Sequence, residues 1–107
     1  MVPKLVRDKI PELIRDEGRD PIVSILQGEK LLEAINLKIG EEYQEYLSAE
    51  GSSKKLTELA DILEIVFAAA KCHGMNEGDL LQLCRKKRTE RGSFDIGYFY
   101  EGDRKPG

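Results

Sequence analysis

"ELADILEIVFAAA", residues 58–70, decides the fold of this chain. No glycine or proline interrupts it, and most of its residues are good helix formers. Wound as a helix, it is apolar on nearly every side between Leu59 and Ala70. Such a helix has to be buried from most directions. Yet it opens with two carboxylates, Glu58 and Asp61, which share one face at a spacing of three. An apolar helix that begins with paired acids needs both a packing partner and a reason for the acids.

Working outward, Gly51 reads as the stop of an earlier helix, and Ser52 or Ser53 as the cap of this one. The apolar helix then runs over about 53–73 and halts at Gly74. Upstream, Leu31, Leu32, Ile35, Ile39, Tyr43, Tyr46 and Leu47 recur at steps mostly of three and four, which predicts a long helix over about 29–50. The short turn at Gly51 makes these two helices antiparallel neighbours. Asn76, with Asp79 three residues on, predicts a capped helix over about 77–91. Ile10, Leu13 and Ile14 predict a helix within 7–20, ended by Gly18 and Pro21. "PIVSIL", 21–26, reads as a strand-like stretch or a buried connector. "FDIGYFY", 94–100, alternates and reads as a short hairpin or an extended arm. Residues 101–107 read as a frayed tail.

The expectation is an all-α fold, an antiparallel bundle of about four helices with a short irregular or β-like C-terminal arm. Its 107 residues suit a single domain, 1–107. Burying the 59–70 helix inside so small a chain is difficult. A homodimer or homotetramer is therefore expected, with a helix wrapped by its own chain as the alternative.

A net charge of −3 argues against general attraction to nucleic acid or to anionic membrane. The longest apolar run, "IVFAAA" at 65–70, is too short to span a bilayer. There is no CxxC spacing, so Cys72 and Cys84 read as reduced, buried, small hydrophobes. With no signal-peptide pattern at the start, a cytoplasmic location is expected. His73, beside Gly74, reads as a helix-end residue. No GxxxxGK loop is present, which excludes a P-loop nucleotide hydrolase.

The upstream helix carries "EEYQE" at 41–45. At 100° per residue, Glu41, Glu42 and Glu45 fall within one arc of about 100°. Across the antiparallel pair, Glu42 and Glu45 could face Glu58 and Asp61. Facing carboxylates either take up protons or are neutralised by a cation. Oxygen-only ligands select a hard ion, Mg²⁺ with Mn²⁺ as the substitute, rather than Zn²⁺. Mg²⁺ keeps few carboxylates and favours substrate phosphates. The plainer alternative is a set of solvated helix faces.

At these residues the chain resembles the MazG-like, all-α nucleotide pyrophosphohydrolases. The resemblance rests on Glu41-Glu42-x-x-Glu45, a spacer of twelve residues, and Glu58-x-x-Asp61. "KLVRDKIPELI" at 4–14 and "KKRTERGSF" at 86–94 resemble the subgroup described as phosphoribosyl-ATP pyrophosphohydrolase-like. The resemblance implies Mg²⁺-dependent cleavage between the α- and β-phosphates of a nucleoside triphosphate, giving the monophosphate and pyrophosphate. It implies Glu42, Glu45, Glu58 and Asp61 as metal ligands, and Glu41 as a helper that positions water. Lys87 and Arg91 match the family's downstream basic pair. Lys38, one turn before Glu42, could also reach phosphate.

Such a cleavage needs neutralised charge and an aligned nucleophile more than covalent chemistry. A spare glutamate could accept the proton of the attacking water. Lys87 and Arg91, at i and i+4, could hold the departing pyrophosphate, or could simply complement the negative end of their own helix. From another class, residues 63–88 resemble a helix-turn-helix. A reading helix carries base-contacting groups near its amino end. Here that end is "NEGDLL", acidic and apolar, and the positive charge comes late. A DNA-binding regulator or a catalytically idle helical module is the alternative.

Overall fold

The computed structural model describes residues 3–106, and among them four helices and no strand form. They are α1 (Ile10–Asp16), α2 (Gly28–Ser48), α3 (Ser52–Cys72) and α4 (Glu77–Arg91). The all-helical expectation holds, with helix ends within a residue or two for α2, α3 and α4.

The central unit is the hairpin of α2 and α3. A proline near its start and Gly18 after its end confine α1 to seven residues. Two capping details differ from expectation. Gly51 is itself the residue before α3, at φ +86°, and Ser52 and Ser53 lie inside the helix without side-chain caps. A serine there would cap only from an extended backbone one position earlier, and the tight turn gives that place to glycine. What ties the turn instead is Lys55. Its Nζ donates to the carbonyls of Tyr46 (2.9 Å) and Leu47 (3.4 Å), the unpaired end of α2. It also lies 5.0 Å from the centre of the Tyr46 ring, which stacks on Tyr43.

The join from α3 to α4 follows the sequence closely. Met75 N–H donates to Ala70 O and Gly74 N–H to Lys71 O, with Gly74 at φ +84°. These paired bonds close α3 in a Schellman turn, with His73 as its last capping residue. The Asn76 side chain then accepts from Asp79 N at 2.8 Å and opens α4.

The core is small. Ile35, Phe67 and Ala70 are the buried hydrophobic residues among those described. All three sit on α2 and α3 and pack the hairpin together. The chain does not wrap α3: Leu56 is 64% exposed and Leu63 49%. "PIVSIL" is neither strand nor buried connector, since Ile22, Val23 and Ile25 stand open to solvent. Residues 94–100 form no hairpin, and Phe94 is 97% exposed. Cys72 and Cys84 are free, as expected, but exposed rather than buried. Cys72 is the last residue of α3 and Cys84 lies on α4, which buries no residue. No helix among the described residues is long and apolar enough to cross a membrane.

Candidate metal centre

The α2–α3 hairpin places Glu42 opposite Glu58 and Asp61. One carboxylate oxygen from each lies within 4.8 Å of the other two. This is the meeting of "EExxE" and "ExxD" that the antiparallel turn requires. Glu42 is buried, with its side chain about nine-tenths covered, while Glu58 and Asp61 are half-buried.

Two basic side chains meet this group. Lys38 Nζ stands 3.4 Å from Glu42 Oε1, one helical turn along α2. Arg7 Nη2 donates to Asp61 Oδ1 at 2.7 Å, across 54 residues of sequence. The other Glu42 oxygen, Oε2, is buried with no partner, and so is Glu58 Oε2. Leaving a buried carboxylate oxygen unpaired is costly. When both acids are ionised, neither facing oxygen has a donor.

The electrostatics agree with this geometry. The Glu58 carboxyl is pushed above its ordinary value. Burial is the first cause. Next comes its contact with Glu42, which a proton on Glu58 would turn into a hydrogen bond. The negative charges of Glu45, Glu42 and Asp61 add to the shift. Four carboxylates against Lys38 and Arg7 leave a formal residue of two negative charges.

The donor set fits a hard divalent cation. It is all oxygen, and one buried oxygen on each of Glu42 and Glu58 is free to bind. Oxygens bound to one Mg²⁺ stand roughly 3–4 Å apart. The three oxygens here lie within 4.8 Å of one another.

The expected residues are not all gathered equally. Glu42 and Asp61 line a groove of about 1260 Å³ together with Lys38 and the segment before α1. Glu45 and Glu58 line a smaller cleft of about 370 Å³ beside the α2–α3 turn. The four acids therefore straddle two concavities, joined by the contact of Glu42 with Glu58. Glu45 is exposed and outside the close triad, yet near enough for its charge to act on Glu58. Glu41 is exposed on α2. Lys87 and Arg91 are exposed on α4 and line neither the groove nor the cleft.

Arg7 is the residue that sequence reasoning missed. The "KLVRDKIPELI" phrase carried it, but no spacing rule relates a residue before α1 to one on α3. Only folding brings them together.

No family model matches this chain. A stretch of 47 residues is 43% identical to a protein of Mycolicibacterium smegmatis described as uncharacterized. That match covers 44% of this chain and 48% of the relative, so the chain spans about half the length of the relative it matches. No solved structure matches.

Proposed function

We propose that this protein is a Mg²⁺-dependent nucleoside triphosphate pyrophosphohydrolase of the MazG-like kind, releasing pyrophosphate and a nucleoside monophosphate. The observation that carries this reading is the triad of Glu42, Glu58 and Asp61 with its buried, unpaired carboxylate oxygens. A solvated acidic face has no need to bury an oxygen without a donor. The order of the motifs in the sequence supports the same reading.

In this reading Glu42, Glu58 and Asp61 hold the cation, with Glu45 entering from the cleft side. Mn²⁺ would serve in place of Mg²⁺. The cation supplies charge neutralisation for the phosphates and lowers the barrier to anhydride cleavage. Glu41, which holds no cation in this reading, is the acid left to orient water and accept its proton. Lys38 stands at the groove wall, where it can turn from Glu42 toward a phosphate. Lys87 and Arg91 would reach the substrate only in an assembly or after movement of α4. The groove is large enough for a nucleotide. Clearing non-standard nucleotides is the role that suits such an activity.

The active form in this proposal is a homodimer or homotetramer. The chain exposes 9851 Å², against about 6,000 Å² for a compact chain of this mass. The excess, about 3,800 Å² per chain, is more than the roughly 1,000–2,500 Å² that each partner buries in one obligate interface.

The test is a panel of common, deoxy- and modified nucleoside triphosphates with Mg²⁺ or Mn²⁺, scored by pyrophosphate release. Glu42→Gln and Asp61→Asn should each lose at least about 100-fold in rate, beyond the roughly 10–100-fold typical of outer-shell changes. Their helix content should stay unchanged. If every nucleotide survives micromolar enzyme, the proposal fails.

A further inference from the structure

We propose that Arg7 is a substrate-binding residue, carried on a strap before α1, that grips the polyphosphate beside the cation. This rests on the hydrolase reading above and adds a residue to its site.

The strap, residues 4–9, lines the same groove as Glu42 and Asp61 and touches the hairpin through Arg7 and Asp61. It brings Lys4, Arg7 and Lys9 into a lining that also holds Lys38 and Lys71, against the acids Asp8, Glu29, Glu42, Asp61 and Glu64. Arg7 reaches Asp61 through one nitrogen, Nη2, to one oxygen, Oδ1. A guanidinium has five N–H donors in a rigid fork, so most of its capacity is unspent. Its side chain is 58% exposed, and the pair it makes is a surface one. Exposed pairs of this kind hold weakly and exchange readily.

Asp61 has a stronger claimant in the hydrolase reading. A divalent cation at the triad would take over the neutralisation that Arg7 provides in its absence. The guanidinium would then be left at the groove wall beside the cation. Planar bidentate donors suit phosphate oxygens, and arginine meets them better than lysine does. Arg7 would therefore have two partners in turn, the Asp61 carboxylate it meets in the structure and the polyphosphate once cation and substrate bind. The buried unpaired Glu42 oxygen is the independent sign that something positive belongs next to Asp61.

The experiment uses the full chain, Mn²⁺ and inorganic tripolyphosphate, so that no base need be known. Mn²⁺ binding is read from the loss of the free-ion paramagnetic signal. Tripolyphosphate binding in the presence of Mn²⁺ is read by calorimetry. Arg7→Gln should bind Mn²⁺ at least as tightly as the wild type, since a competing cation is gone. It should bind tripolyphosphate at least ten-fold more weakly, with Arg7→Lys in between. Unchanged tripolyphosphate affinity in Arg7→Gln overturns the proposal. So does a parallel loss of Mn²⁺ affinity at unchanged helix content, which would make Arg7 a mere support for Asp61. If the wild type itself binds no Mn²⁺, the hydrolase reading falls first and takes this proposal with it.

Discussion

Glu58 shows what a single side chain has to tolerate here. It is partly desolvated, faces Glu42 across the hairpin and feels the charges of Glu45, Glu42 and Asp61, so its carboxyl holds its proton to a higher pH than usual. In the folded chain it therefore binds more protons than in the unfolded chain, across the window above its ordinary value of 4.5. Stability falls as pH rises through that window and stays lower above it. Glu58→Gln removes the charge and keeps the shape. Without divalent cations, its melting temperature should match the wild type at low pH and exceed it increasingly toward neutral pH. Adding Mg²⁺ should raise the wild type and leave the variant behind. Thermal unfolding at a series of pH values, with chelator and with Mg²⁺, checks this. A flat difference across pH would mean that the acids do not feel one another.

At the scale of elements, α2 carries an oddity. Gly40 lies mid-helix, one residue before the acidic run, where glycine costs stability. A Cβ built there meets nothing within 4 Å, and the residue has no positive φ. In this chain nothing requires glycine at that place. Gly40→Ala should stabilise the helix by about 0.5–1 kcal/mol, measured by denaturant unfolding at fixed chain concentration. A stability loss instead would show that another molecule packs against α2 at Gly40. The helices themselves were legible beforehand because their signals are local. Gly74 and Asn76–Asp79 act within one turn, and the resulting bonds form where expected. The Ser52 and Ser53 caps failed because the α2–α3 turn is one residue tighter than a serine cap allows, and Lys55 secures it from the side.

The whole molecule is extended, 72 × 35 × 22 Å, with a radius of gyration of 18.8 Å. A compact chain of this length would measure about 13 Å. The three buried apolar residues among those described cannot hold such a shape alone. In the proposed assembly, the exposed leucines of α3 and the bare aromatic stretch after α4 would be the surfaces that meet. Leu63→Glu places a charge at a half-exposed position of α3, one turn before the buried Phe67, so its helix content is measured alongside its assembly. It should convert an oligomer into monomers at micromolar concentration, seen by sedimentation. A wild type that sediments as a monomer would remove the assembly from the proposal.

The sequence by itself determined the helices, the α2–α3 hairpin and the meeting of Glu42 with Glu58 and Asp61. Those follow from periodicity and from one short turn, and both act over a few residues. Only the tertiary structure decided that Glu45 sits in a separate cleft, that Lys87 and Arg91 stay clear of the groove, and that Arg7 joins Asp61. Each of these depends on how distant segments settle in space. That outcome reflects the packing of the whole chain rather than any local preference.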